Sequence, residues 1–140
     1  MNEIPALVID ASAFLSLFLP DESGRKMEAL IKDIVRKNGQ LLVPPLFWYE
    51  VLNGLATSLK RGRITDEELD SIESDMSVLP IACDYLPTPF IRKRIRDYAV
   101  RYRLSIYDAA YLELATRSRL PLKTLDKHLL GLREEFACIE

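Results

Sequence analysis

The chain has 140 residues, 49% hydrophobic and 29% charged, with a formal net charge of −2. That length suits one domain, expected over residues 1–140, burying about two-thirds of its unfolded surface. The composition is that of an ordinary soluble globular protein, without repeat or low-complexity segment, and no stretch approaches the ~20 uncharged apolar residues of a membrane helix.

The start, Met1-Asn-Glu-Ile-Pro5, lacks the basic residues of a secretory signal. Ala6-Leu-Val-Ile9 is a short apolar run, expected as a fully buried strand, and Asp10 follows it at once. A helix is predicted over 11–19, stopped by Pro20, with Asp21-Glu-Ser23 giving acidic N-terminal signals for the next. That second helix carries Met27, Leu30, Ile31, Ile34 and Val35 as an apolar stripe and ends at Asn38-Gly39. Leu41-Leu-Val43 is the second strand. Pro44-Pro45 opens a third helix, with Leu52, Leu55, Ala56 and Leu59 among its apolar positions.

Thr65-Asp-Glu-Glu68 reads as a capping box for a helix that buries Leu69, Ile72, Met76 and Leu79. A third, short strand lies within 80–85. Thr88-Pro89 caps and begins a helix with Ile91, Ile95, Ala99 and Tyr102 inward. Leu104-Ser-Ile-Tyr-Asp-Ala-Ala-Tyr-Leu-Glu-Leu-Ala115 reads as a buried central helix, with Asp108 near its start. Leu122-Lys-Thr-Leu125 is a fourth strand, Asp126 starts a short helix, and Phe136-Ala-Cys-Ile139 is a fifth strand. Strands separated by helices imply parallel pairing through right-handed crossovers, hence a three-layer α/β/α sandwich. Cys83 and Cys138 form no CxxC or zinc spacing and are expected as two reduced core thiols in a cytoplasmic protein.

Four carboxylates stand out. Asp10 and Asp126 each follow a strand and precede a helix, so both face the region beyond the strand ends where open parallel sheets bind ligands. Helix capping explains each of them singly, and Asp108 too. Glu50 lies inside the third helix, where capping cannot explain it; no basic residue stands three or four positions away, and Asn53, Gly54 and Thr57 continue a narrow polar stripe. If the four converge, each raises the others' pKa, and a divalent cation resolves the conflict. An all-oxygen site selects Mg²⁺ or Mn²⁺ over zinc and suits phosphodiester hydrolysis by an activated water. Setting the four aside leaves 17 acidic against 19 basic residues, a slightly basic remainder that permits a nucleic-acid partner.

Supporting candidates are Ser12, which could bond a metal-held water, and Thr124, two residues before Asp126. His128, the single histidine, reads as a surface helical residue; Ser12 and Ser105 have no histidine placed for a triad, and no phosphate-binding glycine motif is present. Lys60, Arg61 and Arg63 form one basic cluster, Arg117, Arg119 and Lys123 another, and Arg92, Arg96 and Arg103 share a helical face. Of these, Lys60, Arg61, Arg92 and Arg96 are the candidates for sequence-independent RNA-backbone contacts.

Val8-Ile-Asp-Ala-Ser12, Glu50-Val-Leu-Asn53, the 104–115 stretch and Leu122-Lys-Thr-Leu-Asp126 together resemble a PIN-domain ribonuclease, most closely the VapC-type toxins of toxin–antitoxin pairs. Ala11 departs from the Thr or Ser common in that family. The resemblance implies strand order 3-2-1-4-5, with Asp10 and Asp126 on neighbouring strands and Cys83 and Cys138 on opposite edges. It implies an acidic site of Asp10, Glu50, Asp108 and Asp126 with Asn53 and Ser12 in support. It implies Mg²⁺- or Mn²⁺-dependent endonucleolytic cleavage of RNA, a homodimer, and a small antitoxin as partner. The alternative is a non-catalytic module of the same fold that binds RNA or protein. A phosphatase reading fits less well, because Ala11 and Ser12 stand where a second acidic residue is wanted. Which RNA is cut, and which antitoxin binds, is not legible.

Overall fold

The structure, a computed structural model, describes residues 4–18 and 22–140. The element order is β1 (Ala6–Ile9), α1 (Ala11–Ser16), α2 (Glu22–Arg36), β2 (Gln40–Val43), α3 (Leu46–Lys60), α4 (Asp66–Ser77), β3 (Ile81–Cys83), α5 (Pro89–Tyr102), α6 (Ile106–Ser118), β4 (Leu122–Lys123) and α7 (Lys127–Leu130). All ladders are parallel, in the order β3-β2-β1-β4. Successive strand residues face opposite sides of a sheet, yet Val8 and Ile9 are both fully buried, so both faces of β1 are covered. Helices supply that cover: α1 packs with α2 and α3, α3 with α4, and α5 with α6, which lies along β1 and β4. The result is the expected three-layer α/β/α sandwich.

Local sequence sets most boundaries. Asp10 and Thr88 sit in extended backbone and accept the N–H three residues on, and Thr65 and Ser105 do the same for α4 and α6. Asn38 closes α2 in the left-handed conformation (φ 57°), and the Gly39 N–H donates to the Ile34 carbonyl at 2.8 Å. A Cβ on Gly39 would lie 2.2 Å from the Pro5 carbonyl oxygen, so only glycine lets this turn pass under β1.

Several expectations need correction. The fifth strand shrinks to one parallel bridge, Leu122 to Ile139, with Glu140 N–H donating to the Leu122 carbonyl at 2.8 Å. A turn at 137–138, closed by the Ile139 N–H on the Phe136 carbonyl at 3.2 Å, takes the start of the expected strand out of the ladder. Val35, Leu52 and Ala56 are exposed rather than inward; the core side of α3 is Phe47, Val51 and Leu55. Cys83 is exposed at the end of the edge strand β3 and Cys138 is half-buried beside the opposite edge, so the thiols are free and on opposite edges but not in the core. The stop at Pro20 and the acidic signal at Asp21 lie outside the described residues.

The central helix α6 is buried over seven consecutive residues, Ala109 to Ala115. One of them, Glu113, is a charge at 1% exposure. Both of its oxygens accept from Arg117 Nε, at 3.1 and 3.0 Å, and Arg117 also donates to Asp84 Oδ2 at 2.6 Å. The Glu113 hydrogen bond holds the Arg117 guanidinium charged despite its partial burial.

Candidate metal centre

Parallel register carries two of the predicted residues to one end of the sheet. Ile9 pairs with Lys123, so Asp10 and Thr124 leave adjacent strands side by side. Asp10 is 3% exposed. Its Oδ1 accepts from the Ser12 hydroxyl at 2.6 Å and from the Ala13 N–H at 2.9 Å, and its Oδ2 accepts from the Thr124 hydroxyl. Thr124 Oγ1 in turn accepts from the Asp126 N–H at 2.9 Å, and Ser12 Oγ from the Leu125 N–H at 3.0 Å. The two hydroxyls therefore brace the ends of β1 and β4 around Asp10. Burial pushes the Asp10 carboxyl above the ordinary carboxylate range, despite the opposing hydrogen bonds from Ser12, Thr124 and Ala13, and Asp126 pushes it further.

Asp126 is half-buried and caps α7, its Oδ1 accepting from the His128 and Leu129 N–H groups at 2.9 and 3.2 Å. Capping and a site role thus coexist, because Oδ2 carries no such bond. Asp108 stands in the first turn of α6, whose N-cap Ser105 accepts the Asp108 N–H at 3.0 Å. Burial raises its pKa first, then the charge of Asp126, with Asp10 adding to both. Glu50 projects from α3 and is likewise raised by burial, and then by Asp10, Asp108 and Asp126 against a hydrogen bond from Tyr111. The four predicted carboxylates therefore share one electrostatic field.

The leading charges acting on Asp10, Glu50 and Asp108 are carboxylates, with His128 opposing them more weakly at Asp108. A cluster so short of protein cations fits a divalent ion, and its oxygen donors fit a hard one. Among the described residues, Asp108, Asp126 and His128 each offer a ligand atom within 4.8 Å of the others; Asp10 and Glu50 stand outside that set.

Tyr111 escaped the sequence reading, and His128 was weighed there and set aside. His128 is a surface residue as expected, but its Nδ1 lies 3.5 Å from Asp126 Oδ1 at the rim of the site. Its position two residues beyond a capping aspartate was the available signal. Tyr111 is 1% exposed and donates to Glu50 Oε1 at 2.7 Å. Nothing in the sequence separates it from the apolar residues around it, though its three-residue offset from Asp108 places both on one side of α6.

Asn53 is not joined to the carboxylates by any hydrogen bond among the described residues; it is exposed and lines a cleft with Leu15, Phe18 and Gly54. Lys60, Arg61, Arg92 and Arg96 are all exposed, and none is ion-paired among the described residues. Lys60 stands ten residues beyond Glu50 on α3, ~15 Å along the axis, so it is remote from the acidic end. Arg103 caps the end of α5 that leads into α6 and is the nearer cation in sequence to Asp108. Arg117 is committed to Glu113 and Asp84, and Lys123 to Glu140 at 3.2 Å, so two members of the Arg117, Arg119 and Lys123 cluster are taken up internally.

Comparison with known proteins places this geometry. The chain is 28% identical over 123 residues to Ribonuclease VapC3 of Pyrobaculum aerophilum, covering 88% of this chain and 91% of that protein. It superposes on the crystal structure of PAE2754 from Pyrobaculum aerophilum with a TM-score of 0.66 at 27% identity, over 90% of this chain and 86% of that one. A toxin–antitoxin complex from Klebsiella pneumoniae gives a TM-score of 0.65 at 19% identity, over 96% and 95% of the two chains. VapBC2 of Rickettsia felis, bound to a DNA fragment from its promoter, gives 0.63 at 16%, over 96% and 97%. At those identities the last two speak for the fold alone. Residues 7–134 match the PIN domain, so that the strand order, the strand-end aspartates and the buried central helix all fall within one match, and the chain belongs to the PIN domain family.

Proposed function

We propose that this chain is a metal-dependent endoribonuclease, with Asp10, Asp108, Asp126 and Glu50 holding Mg²⁺ or Mn²⁺. The observation that carries the reading is that Asp10, Glu50 and Asp108, each raised first by burial, feel one another and Asp126 at the end of β1 and β4, without a lysine or arginine among the leading charges. The family membership and the ribonuclease relative support it. A bound divalent cation would supply Lewis-acid stabilisation of phosphate charge and an activated water nucleophile.

The chain's own groups have distinct tasks. Ser12, Ala13 and Thr124 hold Asp10 in one orientation, so that little carboxylate reorganisation accompanies ligation. Asp126 and Asp108 come from the starts of α7 and α6, and Glu50 closes the centre from α3. His128, exposed at the rim 3.5 Å from Asp126 Oδ1, is available to contact a phosphate. Exposed basic residues, Arg103 foremost, give backbone contacts to RNA without base choice.

We further read the chain as the toxin of a toxin–antitoxin pair, cytoplasmic and homodimeric, with a small antitoxin that covers the acidic end. The VapC name of the relative supports that reading. No helix among the described residues is long and apolar enough to cross a membrane. The test is incubation of purified chain with RNA and Mg²⁺, followed by sequencing of the new ends. Fragments with 5′-phosphates from the wild type, and none from Asp10→Asn, are expected. A fully active Asp10→Asn protein would contradict the assignment.

A further inference from the structure

The hydroxyl of Tyr111 is a buried polar group that the proposed reaction does not use. Phenylalanine would fill the same space in α6 without burying an oxygen. A buried hydroxyl is tolerated only with a partner, and here the hydrogen bond is to Glu50 Oε1 at 2.7 Å. Burial and the neighbouring Glu50 charge both keep the phenol protonated, so the tyrosine donates and the carboxylate accepts. A bond from a neutral hydroxyl to a charged carboxylate is among the stronger kinds.

The arrangement parallels that at Asp10, where Ser12 and Thr124 supply the hydroxyls. Glu50 has the longer side chain, with three rotatable bonds, and is half-buried, so its carboxylate needs fixing more than Asp10 does. No other hydrogen bond reaches Glu50 among the described residues. Tyr111 stands one turn beyond Asp108 on α6. One helix thus sets Asp108 directly and Glu50 at second hand, across the gap between α6 and α3.

We propose that Tyr111 is the positioning residue of the acidic centre: it holds one oxygen of Glu50 and leaves the other for the divalent cation shared with Asp10, Asp108 and Asp126. This rests on the nuclease reading above. The phenol contacts neither cation nor substrate.

The test is calorimetric titration with Mn²⁺ of the wild type, Tyr111→Phe, Glu50→Ala and the double variant, with thermal unfolding as a check of the fold. Tyr111→Phe is expected to weaken Mn²⁺ binding roughly 10- to 100-fold, the range for a lost outer-shell partner. It is expected to add no further loss to Glu50→Ala. In cleavage assays the Mn²⁺ concentration for half-maximal rate should rise more than the saturated rate falls. Glu50→Asp keeps the charge but withdraws it from the phenol. It should lose Mn²⁺ affinity to a similar degree, and it supplies the test if Tyr111→Phe does not fold. Unchanged Mn²⁺ affinity in Tyr111→Phe, or an equal loss with and without Glu50, would overturn the inference while leaving the nuclease reading standing. A wild-type protein that takes up no Mn²⁺ would overturn both.

Discussion

Both oxygens of Asp10 are engaged by protein groups, yet its pKa is raised, because burial outweighs three hydrogen bonds. The folded state therefore binds this proton more tightly than the unfolded chain does. The stability that protonation lends is present below the unfolded value of 3.8 and is lost as pH rises through the higher folded value. Asp10→Asn removes this penalty. Without metal, the variant's melting temperature should gain on the wild type's as pH rises from 3.8 through the higher folded value, and saturating Mn²⁺ should reverse the order. Parallel pH profiles for the two proteins would count against a metal-free centre under charge strain. Asp10 and Asp126 were legible as strand-end aspartates, and Glu50 as a carboxylate with no basic neighbour. Tyr111 was not, because its meaning depends on a residue 61 positions away. Asn53 continued the polar stripe from Glu50, but one helical turn carried it out of hydrogen-bond reach of the carboxylates and into the α1–α3 cleft.

The elements that hold the site depend on a few local contacts. Ser105 caps α6 and thereby fixes the turn that bears Asp108; Ser105→Ala should cost about 1 kcal/mol in denaturant unfolding. A loss near zero would mean that tertiary packing alone sets the start of α6. Glu113 is the one charge within the buried run of α6, and Arg117→Ala would leave it without its bidentate partner. The remaining cation, Arg94, has its Nε 3.6 Å away and makes no hydrogen bond to it. A loss of about 3 kcal/mol is expected, and substantially less would show that Arg94 swings in to replace Arg117. Gly39→Ala should destabilise by about 1–3 kcal/mol, since its Cβ meets backbone rather than a movable side chain. Capping residues made helix starts readable at Thr65 and Thr88, whereas at α6 the cap is Ser105 and not Asp108, which stands in the first turn. The fifth strand was overread because Phe136-Ala-Cys-Ile139 has the apolar run of a strand, while only the last residues, 138–140, bond to β4, as a single bridge centred on Ile139. Its other side chains help cover the half-buried aromatics of α5, Phe136 meeting Tyr102 edge-on at 5.0 Å.

Among the described residues, acidic side chains gather at the sheet's end and spread over exposed helices such as α4, with Glu113 buried apart on Arg117. A formal charge of −2 therefore misdescribes the surface that RNA would meet once a divalent cation is bound. Among exposed cations, Arg103 leads into the helix of Asp108, whereas Lys60 lies far along α3. Arg103→Ala should weaken RNA binding more than Lys60→Ala and lower the salt dependence by about one phosphate contact. Equal effects would place the RNA elsewhere. The sandwich itself was readable from strand and helix alternation, and the family resemblance supplied the strand order. Which basic residues lie near the centre was not readable, because helix length, not residue type, sets that distance. The most direct measurement is anomalous diffraction from crystals soaked in Mn²⁺. The account predicts a peak bounded by the carboxylates of Asp10, Glu50, Asp108 and Asp126, absent in Asp10→Asn crystals. Ordered carboxylates with no peak between them, under soaking that loads Mn²⁺ elsewhere, would contradict it.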